Sequence, residues 1–328
     1  MNLIIPMAGR GTRLRPQTLT TPKPLIEVAG KTIIQRIVDV LSKMETGQID
    51  NIGFIIEQKS NEIEKILYLI GEQNNINVHV FYQGKALGTA HAIYCAKNIL
   101  FGPTLVVFAD TLFESDIKIP KDNDGCVFVK EVENPKAYGV VRLNKKGSIV
   151  EFVEKPKNMI SNLAIVGIYY FKDGMILSEE IKNILDKKIM IRGEYQITTV
   201  LENLKNKNLV FTPHKINKWF DFGTPENLLN SHKEILKKSP QISKKFKKTT
   251  IIPPCYIADS AQITDSTIGP YVSVGSGTII QSSKIKNSII QSNSNIKGGE
   301  FDMSIIGNHV DYNADFKIVN IGDHTTLK

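Results

Sequence analysis

One stretch near the start of the chain combines glycines and basic residues in a pattern suited to binding an anion. Residues 6–24 read PMAGRGTRLRPQTLTTPKP, with two glycines, three arginines, one lysine and no acidic residue. Glycine lets backbone N–H groups approach a ligand closely, and the planar donors of arginine fit phosphate oxygens. The stretch therefore predicts a phosphate-binding loop, with a Gly-rich turn carrying solvated arginines as the alternative.

The nucleotide-binding motifs that commonly use such a loop are absent. Gly9 and Gly11 are followed by no third glycine that would complete Gly-x-Gly-x-x-Gly, and no Gly-x-x-x-x-Gly-Lys-Ser/Thr pattern occurs. The sequence therefore predicts an anion site that belongs neither to a dinucleotide-binding fold nor to a P-loop protein.

The overall composition narrows the class of protein. The chain has 328 residues, of which 41% are hydrophobic, and a net charge of +8. This length and this apolar content predict a globular protein with sizeable cores. Part of the excess charge lies in the Lys-rich segment 236–248, which is typical of a solvated linker because no aromatic ladder accompanies it. We therefore expect no nucleic-acid partner.

Cysteine and hydropathy patterns indicate the compartment. Cys95, Cys126 and Cys255 form no Cys-x-x-Cys pair, which argues against a zinc site and against a disulfide framework. The first residues carry no basic segment before their apolar run, and no run of about 18 consecutive apolar residues occurs. These patterns predict a cytoplasmic protein with no membrane partner.

The elements that must position the loop alternate along the chain. Patterns typical of strands occur at 2–7, 51–56, 77–82 and 104–110, and patterns typical of helices occur near 31–45, 59–72 and 86–98. More strands are expected within 125–171, and more helices near 173–187, 194–205 and 224–237. This order predicts an α/β fold with a mixed, mostly parallel sheet covered by helices. Ligands bind such sheets at the carboxyl ends of the strands, where the opening loop and Asp110 are expected.

The character of the sequence changes after the Lys-rich segment. Aliphatic residues recur every five or six positions, separated by small and polar residues: Ile257, Ile263, Ile268, Val274, Ile280, Ile285, Ile290 and Ile296. This hexapeptide period predicts a parallel β-helix of about four coils. We therefore predict a domain at 1–238, a linker at 239–250 and a β-helix at 251–328. Because a solenoid has an apolar end to cover, we also expect a homo-oligomer.

Longer motifs connect the chain to a known family. The opening glycines continue as Gly-Thr-Arg-Leu-x-Pro-x-Thr and then Pro-Lys-Pro-Leu. Seven segments follow in order: YQGKALGTAHAI (82–93), VVFADTLF (106–113), AYGVV (137–141), FVEKP (152–156), VGIYYF (166–171), GEYQIT (193–198) and WFDFGTPENL (219–228). Together they resemble the sugar-1-phosphate nucleotidylyltransferases, also called NDP-sugar pyrophosphorylases. The chain looks most similar to glucose-1-phosphate thymidylyltransferase-like members with a C-terminal left-handed β-helix. The resemblance covers about residues 1–238 and implies a Rossmann-like nucleotidyltransferase domain.

The reaction that the resemblance implies is a metal-assisted displacement. The phosphate oxygen of a sugar 1-phosphate attacks the α-phosphorus of dTTP or UTP and expels pyrophosphate, a reaction that needs positioning and charge neutralisation. By similarity, Arg13, Lys23 and Asp110 are the catalytic residues, with Arg13 and Lys23 holding the triphosphate. Asp110 and Asp221 are expected to bind Mg²⁺, which prefers carboxylate and phosphate oxygens.

The same similarity assigns two sets of binding residues. The nucleotide is expected to contact Ala8, Gly9, Gly11, Thr12, Arg13, Lys23, Gln83, Gly88 and Thr89. The sugar 1-phosphate, with glucose 1-phosphate as the first choice, is expected to contact Thr111, Gly139, Glu154, Lys155 and Gly167. In this scheme Lys155 receives the sugar phosphate, Glu154 receives the sugar hydroxyls, and the Gln83 amide offers a donor and an acceptor to a pyrimidine.

Several alternatives stay open at this point. An aspartate such as Asp110 at the end of an apolar strand is also typical of a cap or turn residue, and Gln83 of a polar strand end. The segment LGTAHA is also similar to uridylyltransferases that use UTP and N-acetylglucosamine 1-phosphate. Thr111, Gln196 and Thr199 depart from the residues common in the family, so sugar selectivity stays open. A third hypothesis is a non-catalytic relative with a regulatory or sensor role, which predicts loss of the charged residues that this chain keeps.

Overall fold

The computed structural model describes residues 1–9, 11–43, 47–114, 123–238 and 244–315. The chain divides into two units. The first unit comprises residues 1–9 and 37–219, and the second comprises residues 10–36 together with 220–328. The second unit thus combines the segment that follows Gly9 with the C-terminal part of the chain. The boundaries at 238 and 250 that the sequence suggests stay a prediction.

Helices are present wherever the sequence predicts them. They are α1 (Ile33–Leu41), α2 (Asn61–Asn74), α3 (Thr89–Cys95), α4 (Gly174–Asp186), α5 (Ile197–Asn206) and α6 (Pro225–Leu236). Three of them begin after a residue whose side chain accepts a hydrogen bond from the first turn, namely Ser60, Asp173 and Thr224. In the ranges that the structure describes, no helix is long and apolar enough to cross a membrane.

Thirteen strands precede the β-helix in the described ranges. They are β1 (Asn2–Pro6), β2 (Glu27–Val28), β3 (Lys31–Thr32), β4 (Asn51–Ile56), β5 (Asn77–Tyr82), β6 (Thr104–Val107), β7 (Thr111–Glu114), β8 (Gly125–Glu131), β9 (Gly139–Leu143), β10 (Ile149–Glu154), β11 (Leu163–Phe171), β12 (Phe211–Lys215) and β13 (Lys218–Asp221). Nine of them form one sheet of the first unit in the order β10-β9-β11-β6-β1-β4-β5, with β8 on β11 and β12 on β8. This mixed, Rossmann-like sheet confirms the predicted fold class.

The centre of this sheet explains where a ligand could bind. β1 pairs in parallel with β4 on one side and with β6 on the other, and its residues Leu3, Ile4 and Ile5 are fully buried. Because the chain turns to opposite sides of β1, the strand order reverses between β1 and β6. Such a reversal opens a crevice at the carboxyl ends of the strands. Ala8 and Gly9 follow β1 at this edge, and Asp110 follows β6.

The C-terminal part forms the predicted parallel β-helix. Its strands are β14 (Thr250–Ile251), β15 (Cys255–Ile257), β16 (Gln262–Thr264), β17 (Thr267–Ile268), β18 (Val272–Val274), β19 (Ile279–Gln281), β20 (Lys284–Lys286), β21 (Ile289–Ile290), β22 (Asn295–Lys297), β23 (Glu300–Asp302), β24 (Ile305–Ile306) and β25 (Asp311–Asn313). They make three parallel sheets of four strands each, which gives four coils in the described residues. This arrangement is consistent with a left-handed β-helix.

Stacked aliphatic residues fill the interior of the β-helix. Ile263, Ile280 and Ile296 occupy equivalent positions in successive coils and are almost fully buried. The hexapeptide period therefore places one aliphatic side chain above the next, as the sequence predicts. Phe246, which lies within the predicted linker, packs against this core.

Candidate functional site

The cationic loop of the second unit is shaped around Gly11. This glycine has φ 57°, in the left-handed region, and precedes a short 3-10 turn at Thr12–Leu14. A Cβ atom on Gly11 would lie 3.1 Å from Cβ of Lys23 and 3.2 Å from Cγ2 of Thr18, whose hydroxyl donates a hydrogen bond to the Gly11 carbonyl at 2.8 Å. The loop therefore folds back on itself, and a glycine is required where Lys23 returns beside it.

The two predicted phosphate-binding cations occupy different environments. Lys23 is 8% exposed and begins the 3-10 turn Lys23–Leu25, whereas Arg13 and its neighbour Thr12 are exposed. A Cβ atom on Gly223 would lie 2.8 Å from Oδ1 of Asp221 and 3.5 Å from Nη2 of Arg13. Gly223 therefore adjoins both Asp221, a predicted Mg²⁺ ligand, and Arg13, a predicted contact of the triphosphate.

The Asp221 carboxylate is oriented by the start of α6. Its Oδ1 accepts a hydrogen bond from the Gly223 amide at 2.6 Å, and its Oδ2 accepts one from Nδ2 of Asn227 at 2.7 Å. The Ser231 hydroxyl donates to the Asp221 carbonyl at 2.9 Å. Each carboxylate oxygen retains further lone-pair capacity, so the group could coordinate a hard cation without losing these donors.

In the first unit, Asp110 lies in a turn that is pinned to strand β11. The Thr111 amide donates to the Phe108 carbonyl at 3.0 Å, and the Phe108 amide donates to the Gly167 carbonyl at 2.9 Å. The Thr111 hydroxyl donates to the Val166 carbonyl at 2.7 Å and is buried. These bonds hold the Asp110 backbone against β11, next to the residues predicted to contact the sugar.

Gly167 lies at an irregularity in β11 where a side chain would not fit. Its φ is +86°, and a Cβ atom there would lie 3.0 Å from the Phe108 ring and 3.1 Å from the Thr111 hydroxyl. The pairing of β11 with β8 shifts register between Ile165 and Tyr169, which is typical of a β-bulge beside a functional site. The contact of Gly167 with a sugar 1-phosphate stays a prediction.

The other predicted sugar-phosphate residues are neighbours on β9 and β10. Gly139 and Glu154 lie opposite each other in the β9–β10 ladder, and a Cβ atom on Gly139 would lie 3.2 Å from Oε2 of Glu154. The Thr198 hydroxyl at the start of α5 donates to the same oxygen at 3.2 Å. The Glu154 side chain is 15% exposed. It is therefore a largely buried carboxylate with one fixed oxygen.

Lys155 stands beside Glu154 on strained backbone. Its φ is +44°, a left-handed value that costs a non-glycine residue about 1 kcal/mol or more. The Lys155 amide donates to the Tyr138 carbonyl at 3.1 Å, and Arg192 donates to the Lys155 carbonyl at 3.3 Å. The ammonium group lies 3.8 Å from Oε1 of Glu154, and the side chain is 47% exposed. Strain that the surrounding bonds maintain in this way is typical of functional positions.

Tyr169 is a buried residue of the first unit whose hydroxyl is affected by the charges of Asp110 and Glu154. Its side chain is buried, with its ring edge-on to Phe108. Burial raises the pKa of its hydroxyl, and the nearby negative charges of Glu154 and Asp110 raise that pKa further. Asp110 and Glu154 therefore both act on one buried phenol. The sequence interpretation missed Tyr169, although its position two residues after Gly167 within VGIYYF was an available signal.

The predicted nucleobase residues surround the start of α3. Gly88 has φ 112°, and a Cβ atom there would lie 2.5 Å from the carbonyl oxygen and 2.6 Å from the nitrogen of Tyr195. Tyr195 in turn donates to the Leu87 carbonyl and accepts from the Ala90 amide, both at 2.9 Å. Because the Tyr195 backbone approaches so closely, only glycine fits at position 88.

Thr89 forms hydrogen bonds with residues at the start of α5. Its hydroxyl accepts a hydrogen bond from the Ile197 amide at 3.0 Å and lies 3.3 Å from Oε1 of Gln196. Nε2 of Gln196 donates to the exposed Glu194 at 2.7 Å. A hydrogen-bonded chain thus runs from the predicted nucleotide segment to the segment that follows Gly193.

The Gln83 side chain is fixed by two contacts of its amide nitrogen. Nε2 lies 3.1 Å from the Gly88 carbonyl and 3.2 Å from Nδ1 of His91. Burial lowers the pKa of His91, so the ring is neutral near pH 7 and Nδ1 acts as the acceptor. Among the described residues no hydrogen bond uses Oε1 of Gln83, which makes this atom the one that could accept from a base. The sequence analysis did not predict this contact between His91 and Gln83.

The predicted Mg²⁺ ligands lie in different units, Asp110 in the first and Asp221 in the second. In the described part of the chain, no cluster of three or more acidic, histidine or cysteine side chains could hold a metal ion. Two carboxylates suit Mg²⁺ where substrate phosphates and water supply the other oxygens. The donor chemistry therefore fits Mg²⁺, and the pairing of the two aspartates stays a prediction.

Comparison with known proteins identifies the family. Residues 3–238 match the family model described as nucleotidyl transferase. The chain is 30% identical to a protein named Bifunctional protein GlmU from Methanocaldococcus jannaschii, covering 98% of this chain and 81% of that protein. It is 26% identical to glucose-1-phosphate thymidylyltransferase from Streptomyces antibioticus, over 100% of this chain and 99% of that one.

A crystal structure supports the same assignment. A putative glucose-1-phosphate thymidylyltransferase from Bacillus anthracis, in complex with a sucrose, matches with a TM-score of 0.62 and 27% identity, covering 74% of this chain and 98% of that one. The fold, the motif residues and these relatives agree with one another. The chain therefore belongs to the sugar-1-phosphate nucleotidyltransferase family.

Proposed function

We propose that the chain transfers a nucleotidylyl group from dTTP or UTP to a sugar 1-phosphate, with glucose 1-phosphate as the first candidate, and releases pyrophosphate. The observation that carries the proposal is that both sets of residues lie on the same sheet. The Asp110 turn is hydrogen-bonded to β11 through Phe108 and Thr111. β11 pairs with β9 and β9 pairs with β10, where Glu154 lies 3.8 Å from the Lys155 ammonium group. The first unit therefore contains Asp110, which could bind a metal ion, together with Glu154 and Lys155, which could bind a sugar phosphate.

The Gln83 amide supports a base with an N–H at position 3. Its two N–H bonds point to the Gly88 carbonyl and to His91, so Oε1 is oriented to accept. Uracil and thymine carry a hydrogen on N3, and cytosine has a lone pair there. We infer that Gln83 selects UTP and dTTP against CTP. A site built to accept one hydrogen bond strongly rejects an analogue that lacks the donor.

The phosphates of the triphosphate are assigned to Arg13 and Lys23. The exposed Arg13 guanidinium offers a planar fork to the departing pyrophosphate, and Lys23 provides a point charge from a buried position. Mg²⁺, held by Asp110 and Asp221, would neutralise charge on the reacting phosphates. Positioning and charge neutralisation are the principal needs of phosphoryl chemistry of this kind.

The sugar 1-phosphate is assigned to the residues around Glu154. With Oε2 fixed by Thr198, the carboxylate can accept from sugar hydroxyls, and Lys155 can donate to the sugar phosphate. Gly139 and Gly167 leave space because side chains there would meet Glu154 and Phe108 respectively. UTP with N-acetylglucosamine 1-phosphate is the second candidate, since Oε1 of Gln83 does not distinguish uracil from thymine. We also propose that the chain acts as a homo-oligomer.

A grid of substrates tests the proposed function. The full-length chain is incubated with Mg²⁺, with each of dTTP, UTP, CTP, ATP and GTP, and with the 1-phosphates of glucose, N-acetylglucosamine and mannose. Pyrophosphate release is expected to be fastest with dTTP or UTP and to be at least about tenfold slower with CTP. It is expected to disappear on chelation of Mg²⁺ by EDTA. A grid without pyrophosphate release would favour the non-catalytic hypothesis, and equal rates with CTP would remove the assigned role of Gln83.

A further inference from the structure

The β-helix has one outer face that differs from the other two. Outward-pointing residues on the sheet of β16, β19, β22 and β25 and on the sheet of β14, β17, β20 and β23 are largely polar and exposed, such as Gln281, Asn295 and Lys284. The sheet of β15, β18, β21 and β24 instead stacks Tyr256, Ser273, Ile289 and Ile305 in one column. We call this column and its strands the third face.

Two residues of the third face, Ser273 and Ile289, are buried although they point away from the interior. Their neighbours Val274 and Ile290 fill the core, and successive strand residues point to opposite sides. Ser273 and Ile289 therefore point outward, yet they are only 4% and 1% exposed. An outer residue can be this buried only if another part of the chain covers it.

The segment that carries the phosphate-binding cations supplies part of this cover. The Tyr256 ring lies against Gly30, since a Cβ atom on Gly30 would lie 2.1 Å from the ring carbon Cζ. Nε2 of Gln291 donates to the Glu27 carbonyl at 2.9 Å. Nε2 of Gln17 donates to the Ile305 carbonyl at 3.1 Å. All of these residues belong to the second unit.

Helix α6 also packs against the third face of the β-helix. His232 is fully buried, with Nε2 2.6 Å from the Ser273 hydroxyl. The same helix begins just after Asp221, whose carboxylate its first turn orients. Within the segment 11–36, the Arg36 side chain of α1 donates hydrogen bonds to the carbonyls of Val28 at 2.9 Å and Ala29 at 2.7 Å. The β2–β3 hairpin is therefore held both by Arg36 and by Tyr256.

We propose that the β-helix positions the segment 11–36 and so contributes to triphosphate binding, through the contacts of Tyr256 with Gly30, of Gln291 with Glu27 and of the Ile305 carbonyl with Gln17. This inference rests on the proposed function, in which Arg13 and Lys23 bind the triphosphate. The segment holds only short elements: two 3-10 turns, two two-residue strands and the start of α1. Such a segment loses much conformational entropy when it is ordered, and a ligand binds more tightly when this cost has already been met by contacts elsewhere. Tyr256, Gln291 and Gln17 are positioning residues, since none of them is assigned to a substrate.

Hydrogen exchange and substrate kinetics on the full-length chain test the proposal. Tyr256→Ala, Gln291→Ala and Gln17→Ala each remove one contact, and Tyr256→Phe keeps the ring. Gln281→Ala is the matched control, because Gln281 is an exposed glutamine on another outer face. We expect faster amide exchange in peptides from 11–36 for the three alanine variants, and wild-type exchange for Tyr256→Phe and Gln281→Ala.

The kinetic measurements distinguish a specific effect on the position of the segment 11–36 from a general loss of stability. For the alanine variants KM for the triphosphate should rise about fivefold, the change that corresponds to losing about 1 kcal/mol. KM for the sugar 1-phosphate should stay unchanged. Wild-type exchange in 11–36 together with an unchanged triphosphate KM would overturn the proposal, and so would equal rises in both KM values. Should Tyr256→Ala fail to fold, Gln291→Ala and Gln17→Ala carry the same test.

Failure of the inference is distinguishable from failure of the proposed function. If the wild-type chain releases no pyrophosphate from any substrate pair, the proposed function fails, and the assigned contribution to triphosphate binding fails with it. In that case the exchange arm still decides whether the third face orders the segment. If the wild type is active and all alanine variants behave like Gln281→Ala, the inference alone is wrong.

Discussion

At the scale of single residues, the candidate site is organised by the protein's own hydrogen bonds. Gln83 is held by Gly88 and His91, Glu154 by Thr198, and Asp221 by Gly223 and Asn227. Groups that are fixed in this way need no rearrangement when charge develops on a substrate, which is how preorganised polar groups contribute to catalysis. The type of each predicted residue could be recognised from motifs. The partners that fix them could not, because Thr198 is 44 residues away from Glu154 along the chain.

The role of Asp110 predicts a loss of turnover without a loss of fold. Asp110→Asn keeps the size of the side chain and removes the charge expected to hold Mg²⁺. We expect pyrophosphate release to fall by about 100-fold or more, a change of about 3 kcal/mol that is typical of losing one electrostatic contributor. Circular dichroism and the thermal midpoint should match those of the wild type. Mg²⁺-dependent turnover at the wild-type rate would contradict the metal assignment.

The strained backbone of Lys155 predicts that replacing this residue affects sugar 1-phosphate binding and the free energy of unfolding differently. Lys155→Ala should raise KM for the sugar 1-phosphate by an amount equivalent to about 1.5–3 kcal/mol, because a charge-assisted contact is lost. Lys155→Gly should lose the same contact but unfold about 1 kcal/mol less easily than Lys155→Ala, since glycine adopts φ +44° without strain. Denaturant unfolding and kinetics of both variants check the two parts. A glycine variant clearly less stable than the alanine variant would contradict the strain argument.

The neutral ring of His91 predicts a pH dependence of nucleotide binding. Burial lowers the pKa of His91 from the ordinary histidine value, so the ring becomes mostly charged only at acidic pH. A proton on Nδ1 would oppose the N–H of Gln83 and disturb the amide. We expect KM for UTP or dTTP to rise at acidic pH in the wild type more than in His91→Asn. Because the triphosphate itself titrates, the ratio of the two KM values from pH 7.5 to pH 5 is the measurement, and a constant ratio would exclude this role.

At the scale of elements, hydrophobic periodicity was sufficient to predict most of the fold. The helix expected near 173–187 is Gly174–Asp186, and the one expected near 224–237 is Pro225–Leu236. The aliphatic period after residue 250 predicted the β-helix, because each coil repeats the same inward position. The two-residue strands β2 and β3 were not predicted, since a pair of residues shows no period. Their hairpin is defined by contacts from Arg36 and Tyr256, which local sequence does not reveal.

The close approach of two elements at Gly88 predicts a large cost for a single methyl group. Gly88→Ala places Cβ within 2.6 Å of backbone atoms of Tyr195, and Gly84→Ala is the matched control, because Gly84 also has positive φ but has no atom within 4 Å of its Cβ position. We expect Gly84→Ala to cost about 1 kcal/mol of unfolding free energy and Gly88→Ala to cost about 2 kcal/mol more. Equal losses in denaturant unfolding would show that Tyr195 can move aside.

At the scale of the whole molecule, chain order and spatial units differ. The sequence suggests a catalytic domain followed by a tail, whereas the structure groups the described residues 11–36 with the β-helix. The bonds responsible join residues 264 and 288 positions apart, Gln291 with Glu27 and Ile305 with Gln17. Neither glutamine belongs to a repeat position of the β-helix interior. No periodicity or motif could have predicted these pairs, because they form only when the chain folds so that residues 11–36 cover one outer face of the β-helix.

Within this second unit, buried His232 predicts that stability falls as the medium becomes acidic. Its ring is fully buried against Ser273, and in the described residues Nδ1 has no hydrogen-bond partner. Burial, with smaller effects of Arg36 and Lys233, lowers its pKa to about 3. The unfolded chain binds a proton near the ordinary histidine value of about 6.5. The folded chain does not, so its stability is lost progressively as the pH falls from about 6.5 toward 3.

The slope of this loss is the measurable quantity. One proton taken up only by the unfolded state costs about 1.4 kcal/mol per pH unit between these limits. His232→Gln removes the titrating group and offers an amide to the Ser273 hydroxyl. Its absolute stability should be lower than that of the wild type at pH 7, because packing changes, but its decline from pH 6 to pH 4 should be shallower by about 1.4 kcal/mol per unit. Carboxylates contribute equally to both proteins, so the difference between the two unfolding curves isolates His232. Parallel curves over this range would mean that His232 is protonated in the folded chain, and its contact with Ser273 would then have to be assigned to a charged imidazolium.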